Sequence, residues 1–154
     1  MSARAGESAA EDYARTMVID VPVERAFDAI ATLDGLRGWW TPLATGSDQP
    51  GGTIRLEFEG MDEHIDLRVV IRRRPAEVAW LLLEHTSLGE WAGTTVRFAL
   101  RPLDESRCTV EFRHEGLSPR LACYEDCEAG WDYFLGSLVA LAQDGIGRPF
   151  RSRR

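Results

Sequence analysis

The chain has no lysine and no asparagine, so all 18 basic residues among its 154 are arginine. Both missing residues use AT-rich codons, which points to a GC-rich bacterial genome rather than to a chemical need for guanidinium groups. Cysteine is scarce and odd in number, with only Cys108, Cys123 and Cys127. That count excludes a disulfide framework, and free thiols are expected. No apolar run approaches the roughly 18 residues of a membrane span, and the opening MSARAGESAAEDYAR has no apolar stretch like that of a secretory leader. A membrane is therefore not an expected partner, and the cytoplasm is the expected compartment. GxSxG, P-loop, GxGxxG and HExxH patterns are all missing. No residue is assigned as catalytic or as a metal ligand, and no cofactor is expected.

Positive charge is also in deficit, with a formal net charge of −7. A polyanion would be repelled, so nucleic acid is not an expected partner. Two basic clusters depart from the trend. Arg72-Arg73-Arg74 reads as a solvated strand end before Pro75, and Arg148, Arg151, Arg153 and Arg154 read as a frayed terminus. Cys123 and Cys127 are four apart and could share a helix face, with His114 as a third ligand. Their spacing is not that of a zinc knuckle or ribbon, and a packing role is expected.

What is present is a legible order of elements. The length suits one domain, long enough to bury about two thirds of the surface of its unfolded form. Residues 1–12 are small and polar and are expected to be disordered. Residues 13–150 form the domain, and 151–154 a basic tail. YARTMVIDV reads as a strand stopped by Pro22, and PVERAFDAIAT as a helix with Val23, Ala26, Phe27 and Ile30 on one face. A short second helix carries Leu33 to Trp40. From Gly51 the period changes to two. Five strands follow: Ile54, Leu56 and Phe58 face inward in the first, and Ile65, Leu67, Val69 and Ile71 in the second. EVAWLLLEH is apolar on both faces, so its inner side stays open. Val96, Phe98 and Leu100 face inward in the fourth, and Cys108, Val110, Phe112 and His114 in the fifth.

Short turns between the strands imply an antiparallel meander, whose apolar face must be covered. The cover is LSPRLACYEDCEAGWDYFLGSLVALAQDG, expected to start at a Ser118 cap with Pro119 in the first turn and to close at Gly145. Tyr124, Cys127, Trp131, Leu135 and Leu138 form its stripe, and Glu128 stands at the margin. Gly130 costs about 1 kcal/mol relative to alanine in a helix and is expected to mark a bend or a close approach to the sheet.

VPVERAFDAIATLDGLRGWWTP, a GG before a strand, a HEGL ending and GWDYFLGSLVALAQDGIGRPF together resemble the START-like (SRPBCC) superfamily. Within it, the chain is most similar to the group named for the activator of the heat-shock-protein-90 ATPase. The resemblance covers residues 13–150. It implies an α+β helix-grip fold, in which a curved antiparallel sheet wraps a long C-terminal helix around a cavity, with two short helices after the first strand. In some relatives such a cavity binds lipids, hormones or polyketides, and in others it is nearly filled. The superfamily has no shared catalytic motif to carry over. The histidine that some relatives show before the Gly-Trp pair is Ala129 here.

Inward parity and the helix stripe nominate Trp40, Phe58, Trp80, Phe98, Phe112, His114, Tyr124, Glu128 and Trp131 as ligand-binding residues. Glu84 joins them if it shares the parity of Trp80 and Leu82, whereas His64 and His85 fall near strand ends and are expected to face water. Neighbouring helical residues point about 100° apart. One of Trp39 and Trp40 should therefore anchor the short helix while the other, Trp40, borders the cavity. Three readings follow. The first is a module binding a small apolar or aromatic molecule. The second is a cyclase- or hydrolase-type enzyme using the same cavity, and the third a co-chaperone-like interaction domain. Ala79, Leu81 and Leu83 on the outer face could cover a homodimer contact.

Overall fold

The computed structural model describes residues 12–151. The expected disordered segment 1–12 and basic tail 151–154 therefore lie outside it, except for Asp12 and Arg151. Strand β1 (Tyr13–Ile19) is followed by helices α1 (Val23–Ala31) and α2 (Leu33–Trp39). Six strands come next: β2 (Leu43–Gly46), β3 (Thr53–Glu57), β4 (His64–Arg73), β5 (Glu77–His85), β6 (Thr95–Asp104) and β7 (Arg107–Glu115). Helix α3 (Tyr124–Asp144) ends the order. The strands form one antiparallel sheet in the order β1-β7-β6-β5-β4-β3-β2, curved around α3. This is the helix-grip fold.

Pro22 precedes α1, and Val23, Ala26, Phe27 and Ile30 turn its buried stripe to the core. The Thr32 side chain caps α2 by accepting the Gly35 N–H at 2.9 Å, which satisfies one of the amides a helix start leaves open. Helix α3 buries Cys127, Trp131, Leu135, Leu138 and Ala142, spaced three and four residues apart as a helix stripe requires. Its left-handed C-cap is Gly145 (φ 80°). The expected start at Ser118 is overturned: residues 118–123 make turns, and α3 begins at Tyr124 with no side-chain cap. A sixth strand after the helices, β2, also went unread, because LATG is too short to show alternation.

Two irregularities decide which side chains reach the inner face. In the β4–β5 pairing Asp66 faces Glu84 while Leu67 faces Leu82, so Leu83 is an extra residue. Likewise Val69 faces Trp80 and Ile71 faces Ala79, which makes Val70 an extra residue in β4. Both extra side chains are exposed. A bulge reverses the parity beyond it. His85 therefore turns inward and is buried, while Glu84 turns outward beside His64. This reverses the expectation for each of the two residues. The arginine triplet is not simply solvated either. Arg72 lies 5.7 Å over the Phe27 ring, Arg73 pairs with Glu77, and Arg74 ties the β4–β5 turn to α1 through two 2.9 Å bonds to Asp28.

Candidate functional site: an aromatic cavity

Aromatic rings pack between the middle of the sheet and α3. Trp80, Phe98 and Phe112 stack edge to face, with ring centroids 5.3 and 5.0 Å apart, and Phe112 meets Trp131 at 4.6 Å. The packing stops toward the end of the sheet where β3 turns into β4 and β5 ends. A cavity of about 240 Å³ opens there. Trp40, Trp91 and Trp131 wall it, with Phe134 further along α3. Trp40 lies 5.0 Å from Trp131, and Trp91 stacks parallel to Trp131 at 5.9 Å. Phe58 and Ile65 close the sheet side.

The chain beyond α3 supplies the last wall. It doubles back across α2, where a Cβ on Gly147 would stand 2.3 Å from the Gly38 carbonyl oxygen, so only glycine fits that crossing. The Phe150 amide then donates to the Trp40 carbonyl at 2.8 Å, and the Phe150 ring meets Phe58 edge-on at 5.5 Å. Gly130 also lines the cavity, and a Cβ there would meet nothing within 4 Å. The expected close approach to the sheet is therefore replaced by open space.

Polar groups are few. His85 lines the cavity with its ring edge-on to Trp91 at 4.9 Å. Its Nδ1 accepts the amides of Ser87 and Leu88 at 3.2 and 3.0 Å, so the neutral ring carries its proton on Nε2. Burial holds its pKa below the usual histidine value, against the opposing charge of Glu63. Glu63 and Asp126 add two carboxylates to the lining, and Cys127 a thiol whose sulfur accepts the Trp91 indole N–H at 3.2 Å.

Of the nominated residues, Trp40, Phe58 and Trp131 meet at this cavity. Trp80, Phe98 and Phe112 lie in the ring stack behind its wall. Parity tells which face of a strand a side chain occupies, not how far along the sheet the cavity extends. Tyr124 and Glu128 lie outside the lining. Glu128 accepts from Arg15 at 3.1 Å, beside the Arg15–Asp132 pair and the Tyr13 hydroxyl bond to Asp132. That margin of α3 thus faces β1.

His114 is fully buried, and its bonding is directional. The Trp131 indole can only donate, so His114 Nδ1 accepts from it at 3.0 Å. Nε2 then carries the proton and donates to Thr94 Oγ1 at 2.8 Å, and Thr94 donates in turn to the Trp91 carbonyl. Burial pushes the His114 pKa down to about 3. A ring with both nitrogens committed and no charge acts as a strut between two cavity tryptophans. Nor does it join the cysteines: burial first, then bonds to Cys127 and Glu90, push the Cys123 thiol up to about 12. Among the described residues, the one group of His, Cys and carboxylate ligand atoms lying within 4.8 Å of one another is His64, Asp66 and Glu84. Asp66 there already accepts two bonds from Arg55, at 2.9 and 3.1 Å.

Trp91, His85 and Phe150 were missed. Trp91 and Phe150 carry the same signal as the Trp39-Trp40 pair, a large ring in a short connecting segment. His85 carries none, because its orientation depends on the bulge.

The family model described as activator of Hsp90 ATPase homolog 1-like protein matches residues 20–143. The chain belongs to this family. Among solved structures, the Aha1 dimer from Colwellia psychrerythraea is 26% identical with a TM-score of 0.75, covering 88% of this chain and 98% of that one. An Hsp90 activator from Plasmodium falciparum is 20% identical with a TM-score of 0.70, over 85% and 95% of the two chains. DynU16, from the dynemicin biosynthetic locus, is 19% identical with a TM-score of 0.68, over 89% of this chain and 49% of that one. No curated protein matches the chain. Among the described residues no helix is long and apolar enough to cross a membrane.

Proposed function

We propose that this family member binds a small apolar or aromatic molecule in the cavity between α3 and the open end of the sheet. The observation that carries the reading is an open-mouthed cavity of about 240 Å³ walled largely by tryptophan and phenylalanine beside the buried core. Empty apolar space is unfavourable, by roughly 24 cal/mol for each Å³ of cavity left by a truncated side chain. A dry cavity of about 150 Å³ takes up benzene, so this one has room for a molecule of one or two rings. Stacked rings make a wall of large contact area with few rotamers to freeze. The test is a calorimetric titration with indole. Saturable binding in the wild type that is lost when Gly130→Leu fills the void supports the reading, and no uptake by the wild type refutes it.

A second reading, an interaction domain of the Hsp90-activator kind, is favoured by the family and by the Plasmodium relative that bears that description. The Colwellia relative is a dimer, and homodimerisation is part of this reading. The outer face offers limited apolar surface for it: Ala79 is fully buried, Leu81 half-buried, and Leu83 exposed at a bulge. Sedimentation at micromolar concentration tests it, and a monomer throughout would remove the dimer.

A further inference from the structure

We infer that the cavity selects a cation: an aromatic or alkyl amine, or a quaternary ammonium, with its apolar part against the tryptophans and its charge toward the mouth. The inference rests on the reading of the cavity as a binding site and adds the sign of the ligand's charge.

Charge complementarity carries it. The chain has 18 arginines, yet among the described residues none lines the cavity. The two formally charged side chains that do are both carboxylates, Glu63 and Asp126. They come from opposite walls, Glu63 from the turn between β3 and β4 and Asp126 from the first turn of α3. The imidazole of His85 adds no opposing charge near neutral pH, because its Nδ1 is committed to two backbone amides and its surroundings disfavour a second proton. Arg151, next to Phe150 in sequence, is exposed and outside the lining, and Arg148 is directed to the Tyr133 ring at 5.9 Å.

Among the described lining residues, an anion entering this mouth would meet two negative groups and no positive one. A fatty acid or an aromatic carboxylate is therefore disfavoured. A cation gains twice, from the carboxylates and from the electron-rich faces of the indoles, tryptophan being the strongest of the aromatic side chains in cation–π contact. The net charge of −7 raises the local concentration of cations and lowers that of anions around the whole molecule. Rings alone favour a cation only modestly, and carboxylates alone are common surface groups. Together, around one cavity with an open mouth, they define a ligand that is apolar at one end and positive at the other.

The test compares three one-ring probes by nuclear magnetic resonance on the tryptophan indole N–H signals of the full chain. They are phenyltrimethylammonium, its uncharged isostere tert-butylbenzene, and 3-phenylpropionate. The expected order is ammonium first, at least tenfold tighter than the isostere, with the carboxylate weakest. In the Glu63→Gln, Asp126→Asn double variant the ammonium should lose most of that advantage while the isostere binds as before, which separates charge recognition from a change in the cavity. Equal affinity for ammonium and isostere, or an advantage that survives the double variant, overturns the inference and leaves the cavity as a neutral apolar site. Failure of all three probes to bind the wild type overturns the binding reading as well.

Discussion

Acid should weaken this protein well before its carboxylates titrate, and the cause is His114. In the folded chain the ring is neutral, fully buried, and bonded through Nδ1 to an indole that can only donate. A second proton would set N–H against N–H with no water to intervene. The folded pKa of about 3 lies below the ordinary value of 6.5. Above that ordinary value neither state carries the proton, and the stability is complete. As pH falls below it the unfolded chain gains the proton and the folded chain does not, so stability declines until the folded pKa is reached. The slope approaches about 1.4 kcal/mol per pH unit, and from about pH 7.5 to about pH 5 the loss is about 2 kcal/mol. His85, also held low by burial, adds in the same direction. Urea unfolding followed by circular dichroism at a series of pH values measures the slope, and carbon shifts of the His114 ring report its protonation directly. A ring that titrates near its ordinary value in the folded protein, or a urea midpoint unchanged across that range, would refute the strut assignment.

Four substitutions probe the cavity wall and the packing behind it. Gly130→Ala should raise stability by up to about 1 kcal/mol, since helix propensity improves and the new Cβ meets no atom within 4 Å; a lowered melting temperature would show that the space is not open. Trp39→Ala should cost about 3–5 kcal/mol, because Trp39 is fully buried and its indole donates to the Ala29 carbonyl at 2.9 Å. Trp40→Ala should cost less, since one side of that ring already faces the void, but should weaken indole binding; equal stability losses with unchanged affinity would leave the pair a packing role only. Phe150→Ala removes the edge-on partner of Phe58 and should speed ligand dissociation with a stability change of about 1 kcal/mol or less for a half-buried ring, measured by stopped-flow fluorescence; unchanged dissociation would mean that the C-terminal segment does not close the cavity.

Much of the fold was legible because its period changes were. The shift from helical spacing in PVERAFDAIAT to alternation after Gly51 marks the passage from α1 and α2 to the sheet, and Gly145 marks the end of α3. The site was legible only where a residue's position depends on its own element. Trp40 at the end of α2 and Trp131 on the α3 stripe reach the cavity by local geometry. His85 and Glu84 exchange faces because Leu83 is one residue too many for its partner strand, and no alternation within β5 records that. Tyr124 and Glu128 share a helix with Trp131 but turn toward β1, where Arg15 draws Glu128 away. That attraction spans 113 residues of sequence, beyond the reach of any local pattern.

The central claim is that the void holds a small molecule, and native mass spectrometry of the protein purified from its own cells tests it most directly. The account predicts a retained mass of one or two rings on the wild type, carrying an ionisable amine or a quaternary ammonium, that is missing from Gly130→Leu prepared in the same way. A wild-type chain at its bare mass, which also takes up neither indole nor phenyltrimethylammonium when they are added, would contradict it.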